Sequence, residues 1–89
     1  MGEVMVLLRI FPEEVDISLE GLKDKIQKSL PEGYSIKAWD EEPIAFGIKA
    51  LRIIVVMPEE VEGGTEQLEQ IISGVPGVSQ VEVLTVHRI

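Results

Sequence analysis

Two runs in this chain are apolar on both of their faces, and they limit the fold more than any other feature. The first, Glu3 to Phe11, reads Glu-Val-Met-Val-Leu-Leu-Arg-Ile-Phe; the second, Ile48 to Met57, reads Ile-Lys-Ala-Leu-Arg-Ile-Ile-Val-Val-Met. Both are rich in β-branched and aliphatic side chains and are expected to be strands. In extended chain Val4, Val6, Leu8 and Ile10 share one face, and Met5, Leu7, Arg9 and Phe11 share the other. In the second run Leu51, Ile53 and Val55 line the core face, with Arg52, Ile54 and Val56 opposite. A strand with two apolar faces belongs in the middle of a sheet, so the fold must supply two central strands.

Each of these strands is followed by an amphipathic helix and then by a more polar strand. Pro12 and Glu13-Glu14 end the first strand, and Ser18 is the expected N-cap of a helix with Leu19, Leu22, Ile26 and Leu30 on one face. Pro31-Glu32-Gly33 stops that helix. Tyr34 to Glu42 is expected as an edge strand, with Ile36 and Ala38 toward the core and Lys37 and Trp39 on the other side. In the second half Pro58 to Gly64 reads as an acidic turn and Thr65 as an N-cap. Leu68, Ile71, Ile72 and Val75 form the inner face of the second helix, which breaks at Gly74 to Gly77. Val78 to Arg88 is the fourth strand, with Val81 and Val83 on one face and Gln80, Glu82, Leu84 and Val86 on the other. The acidic runs Asp40-Glu41-Glu42 and Glu59-Glu60 are expected to be solvated turns.

The order is therefore β-α-β-β-α-β. Two helices can cover only one face of a sheet, and right-handed crossovers place the first and third strands side by side at its centre. The predicted fold is an α+β, ferredoxin-like sandwich: four antiparallel strands with two helices on one face, in one domain over residues 1–89. The uncovered face would carry Met5, Leu7, Arg9, Phe11, Lys37, Trp39, Arg52, Ile54, Val56, Glu82, Leu84 and Val86. That is a large apolar share for an open surface, and it fits partner binding or a homodimer through that face. For Trp39 packing is the commoner role, ahead of an interface anchor.

The two halves meet at Glu41-Glu42-Pro43-Ile44-Ala45-Phe46-Gly47-Ile48-Lys49-Ala50-Leu51, where a proline, an aromatic and a glycine fall within five residues. Gly47 admits a backbone conformation denied to other residues and leaves room for close approach. Pro43 stiffens the entry. A preorganised aromatic on such a loop loses little entropy on binding. The plainer reading is a hairpin in which Phe46 tucks into the end of the core, and composition alone favours it. Lys49 follows directly, and His87, Arg88 and Ile89 make a basic end on an acidic chain.

Several functions are excluded by what the chain contains. Its 16 acidic residues against 8 basic ones leave a net charge of −8, which opposes a phosphate-binding track or an anionic membrane surface. The same strand order occurs in RNA recognition modules, but of the central-strand residues toward the open face only Phe11 is aromatic. There is no cysteine, and His87 alone cannot build a zinc site. No phosphate loop, dinucleotide fingerprint or nucleophile triad occurs, so neither a cofactor nor covalent catalysis is expected. Phe11-Pro12-Glu13-Glu14 is acidic where acylphosphate chemistry would need an anion-binding arginine loop. Met1-Gly2-Glu3 lacks a basic leader, position 6 is Val6 where a myristoylation motif needs Ser or Thr, and no apolar run approaches membrane length. A soluble, cytoplasmic domain is expected.

Glu42 to Leu51 resembles the signature of the translation elongation factor one-beta family, and most closely that of its archaeal members. Gly63-Gly64-Thr65-Glu66 and the strand Val78 to Arg88 extend the resemblance over nearly the whole chain. It implies a guanine-nucleotide exchange factor that promotes GDP release and GTP loading on elongation factor 1-alpha during translation elongation. The partner-binding residues it implies are Pro43, Phe46, Gly47 and Lys49 around the central loop, and His87, Arg88 and Ile89. In eukaryotic relatives a penultimate lysine reaches toward the magnesium and phosphate site of the GTPase, and Arg88 stands at that position here. The charge is kept, but a planar fork replaces a compact ammonium. The alternative is a ligand-binding or oligomerisation module on the same fold, or an RNA-binding domain.

Overall fold

The two doubly apolar runs pair with each other. In the computed structural model, which describes residues 2–59 and 64–89, β1 (Glu3–Pro12) lies antiparallel to β3 (Ile48–Pro58). Val6 faces Val55, Leu8 faces Ile53 and Ile10 faces Leu51, and all six are fully buried. β2 (Ser35–Ala45) and β4 (Val78–Arg88) flank them, giving the antiparallel order β2-β3-β1-β4. Helices α1 (Leu19–Ser29) and α2 (Thr65–Ser73) close the core with Leu19, Leu22, Ile26, Leu68 and Ile72. The element order and the four-stranded sheet are those of the ferredoxin-like α+β fold. Tyr34, expected to begin the second strand, instead joins the buried cluster just before it.

The first helix starts as its sequence requires: the Ser18 hydroxyl oxygen accepts a hydrogen bond from the Gly21 amide at 3.1 Å. The second does not. Gly64, at φ +56, occupies the N-cap position, no side chain caps it, and Thr65 is already helical. A glycine takes that left-handed turn without steric cost, so the helix begins one residue earlier than the threonine suggests. Of the acidic turn before it, Glu60 to Gly63 lie outside the described residues.

The edge strands depart from simple alternation. On β2, Ile36 pairs with Val55 but Ala38 pairs with Ile54, so Lys37 is an inserted residue. On β4, Thr85 pairs with Leu7 but Val83 pairs with Leu8, which makes Leu84 the insertion. Each bulge reverses the faces beyond it. Trp39 therefore lies opposite Ile53 on the helix-covered side, where the Lys23 ammonium sits 5.3 Å from its ring centroid. Ala38 takes the open face. Likewise Val86 lies beside Val6 on the helix side, and Thr85 and His87 take the open face beside Leu7 and Met5. The expected placements of Ala38 toward the core and of Trp39 and Val86 on the open face are thus reversed.

The molecule is long, 43 × 21 × 18 Å. Pairing of β1 with β3 ends at Ile10 and Leu51, whereas pairing of β2 with β3 continues to Ala45 and Ile48. The hairpin thus runs past its neighbour. Asp40, Glu41 and Glu42 lie in β2, as the strand expected to Glu42 requires, and not in a solvated turn.

Candidate protein-binding site

A two-residue loop, Phe46-Gly47, closes the long hairpin. Its residues have φ of +49 and +80, as a type I′ hairpin turn requires at both central positions. Nothing lies within 4 Å of where a Gly47 side chain would begin, so the glycine serves the backbone angle and not a close approach within this chain. For Phe46 the same angle is unfavourable by about 1–2 kcal/mol. The ring receives no packing in return: it is 102% exposed. The reading in which Phe46 tucks into the core is overturned. Ile44 and Ile48 are also exposed, so with Pro43 the tip is an apolar finger. Lys49, at its base, holds Glu41 at 3.4 Å in an exposed pair.

His87, Arg88 and Ile89 lie at the other end. Arg88 pairs with Val4 near the start of β1, and the Ile89 amide donates to the Glu3 carbonyl at 3.0 Å. The Arg88 guanidinium is 76% exposed, with Nη2 lying 3.2 Å from Glu59 Oε1. His87 sits on the open face against Met5, Leu7, Ile54 and Thr85. β3 runs from Ile48 at the tip to Met57 opposite Val4. Nine steps of roughly 3.3 Å put the two ends about 30 Å apart. The seven residues expected to bind a partner thus form two sets that the fold holds apart.

Between them lies an arrangement that alternation did not announce. Arg9 on β1 grips Glu42 on β2 with two nitrogens, Nε to Oε1 at 2.7 Å and Nη2 to Oε2 at 3.3 Å. Its remaining nitrogen, Nη1, reaches Glu82 on β4 at 3.1 Å. To reach Glu42 the side chain must cross β3, and it does so where Ala50, opposite Glu42, is fully buried. Arg52 grips Asp40 in the same bidentate way. These hydrogen bonds hold the Glu42 and Asp40 carboxyls below the usual carboxylate range. The small Ala50 between Lys49 and Leu51 was the available sign of this crossing. Glu59, expected only as part of a solvated turn, pairs with Arg88, a partner far along the chain.

Among the described residues no group of three His, Cys, Asp or Glu is placed to hold a metal ion, and no helix is long and apolar enough to cross a membrane.

Comparison with known proteins fits this geometry. Among solved structures, the C-terminal domain of the MgtC protein from Mycobacterium tuberculosis has a TM-score of 0.58 at 14% identity, covering 99% of this chain and 88% of that one. BlrP1 BLUF has a TM-score of 0.56 at 17% identity, covering 100% and 56%. At those identities the likeness concerns the fold alone. The sequence relatives are much nearer. A protein named elongation factor 1-beta from Staphylothermus marinus is 63% identical over 89 residues, covering 100% of this chain and 99% of its own. Its namesake from Desulfurococcus amylolyticus is 57% identical with the same coverage. Another from Sulfolobus acidocaldarius is 47% identical over 87 residues, covering 98% and 97%. The family signature described as the EF-1 guanine nucleotide exchange domain matches residues 5–89, both exposed ends included, and the chain belongs to that family.

Proposed function

We propose that this domain drives GDP release from elongation factor 1-alpha through a two-ended grip, with Phe46 as anchor and Arg88 acting at the nucleotide site. One observation carries the reading: a fully exposed aromatic on a fixed turn and an outward guanidinium stand at opposite ends of one sheet. The central strands that join them are packed through fully buried side chains, so the spacing of the ends resists deformation. Pro43, Phe46, Gly47 and Lys49 form the anchoring contact. His87, Arg88 and Ile89 form the acting one, because a guanidinium seeks phosphate or carboxylate oxygens.

Exchange of this kind follows from linkage. A factor that binds the nucleotide-free GTPase more tightly than the GDP form must weaken GDP binding by the same factor. No bond is made or broken, so neither a nucleophile nor a cofactor is needed. The net charge of −8 argues against RNA as a competing ligand. It also opposes a homodimer through the open face, where the ion pairs of Arg9 and Arg52 already occupy part of the surface. The expected place of action is the cytoplasm, where translation proceeds. The test is release of labelled GDP from elongation factor 1-alpha at sub-stoichiometric domain. Acceleration supports the reading, and an unchanged GDP dwell time at saturating domain removes it.

A further inference from the structure

The chain has three arginines, and the fold treats one of them differently. Arg9 and Arg52 are each closed by a bidentate carboxylate on the open face. Arg88, among the described residues, is held at one nitrogen by one oxygen of Glu59. A guanidinium has five N–H donors in a fixed fork, so most of that fork still faces outward.

Glu59 is itself firmly placed. Its amide donates to the Gly2 carbonyl at 3.0 Å, and its side chain is 33% exposed, less than half the exposure of the arginine it meets. The carboxylate lies against Gly2: a Cβ there would fall 2.6 Å from Glu59 Oε2 and push the carboxylate aside. On the other side, the Ile89 amide bound to the Glu3 carbonyl fixes the backbone that carries Arg88. Gly2, Glu59 and Arg88 thus form a small assembly whose free element is the fork.

We propose that Glu59 is a positioning residue for nucleotide exchange, seated against Gly2 and holding the Arg88 fork toward the anionic groups of the GTPase. The proposal rests on the role given to Arg88 above. An arginine free in solution spreads over many rotamers, and one carboxylate contact narrows that spread before the partner arrives. The contact is single and exposed, hence weak, and an anionic group on the partner can replace or share it at little cost.

Release of labelled GDP from elongation factor 1-alpha, followed as a function of domain concentration, separates the saturated rate from the half-saturating concentration. Glu59→Gln is expected to lower the saturated rate about three-fold. Gly2→Ala, which keeps the charge but displaces the carboxylate, is expected to lower it in the same direction. In an Arg88→Ala background neither change should slow release further, since a residue acting through Arg88 has nothing left to position. A purely structural Glu59 would instead add its own loss to that of Arg88→Ala, and that result overturns the proposal. So does an unchanged rate in Glu59→Gln when Arg88→Ala alone is slow. If Arg88→Ala itself leaves release untouched, the role of Arg88 fails first and the proposal falls with it.

Discussion

The two ends of the sheet are built on opposite principles. At the hairpin tip everything is apolar and fixed: a two-residue turn with both φ angles positive holds Phe46 clear of the core. At the far end the proposed acting group, Arg88, is charged, long and, among the described residues, tethered by one ion pair. A rigid aromatic suits tight, slowly released contact, because little freedom is lost when it docks. A lightly held guanidinium suits a group that must change partners during the event. On the roles proposed above, affinity and release are placed in different regions of one small domain.

The sharpest way to break that division is to truncate each end and read two parameters. Arg88→Ala is expected to lower the saturated GDP-release rate about ten- to a hundred-fold while moving the half-saturating concentration little. Phe46→Ala should do the reverse, raising the half-saturating concentration about ten- to thirty-fold with the saturated rate largely kept. If both variants change the same parameter, the two ends share one role and the division is wrong.

Smaller effects probe what keeps the ends in register. Ala50→Leu puts a large side chain under the Arg9 crossing and is expected to cost about 1–3 kcal/mol in chemical denaturation. Unaltered stability would show that Arg9 does not need that passage. Gly47→Ala, at φ +80, should destabilise the turn by about 1 kcal/mol and weaken partner binding more than it lowers the saturated rate. Least of all, acid should loosen the open face. Glu42 and Asp40 have folded-state pKa values lowered by Arg9 and Arg52. Their contribution is therefore present above the ordinary carboxylate range, about 4, and is lost as pH falls through the lower folded values. Glu42→Gln should flatten the acid side of a thermal-stability profile, and a profile of unchanged shape would deny the carboxylate that part.

Legibility in the sequence divides along similar lines. The central strands announce themselves, since Val6, Leu8, Ile10, Leu51, Ile53 and Val55 keep strict alternation and one face. The edge strands do not. Val81 to Val86 reads equally well in two phases, and only the paired register reveals that Leu84 is inserted. Trp39 fails for the same reason, through Lys37. The candidate partner-binding residues could be named from the sequence, but their separation into two sets could not. It depends on strand order and direction, and neither Arg88 nor Glu59 carries a local sign of its neighbour. Phe46 departs from the ordinary burial of aromatics because its turn, with positive φ, closes a hairpin that runs past β1.

The insertion at Leu84 has a consequence for how such chains can change. Because it reverses the faces beyond it, it decides which of two adjacent side chains, imidazole or guanidinium, shares the side of Met57 and so approaches Glu59. Deleting that one leucine would leave Val83 and Thr85 to pair directly with Leu8 and Leu7 and keep both side chains on their present faces, whereas drawing it into regular alternation would exchange them. One residue can therefore be lost at this point without turning over the end of the strand, whereas loss of a second would swap imidazole and guanidinium.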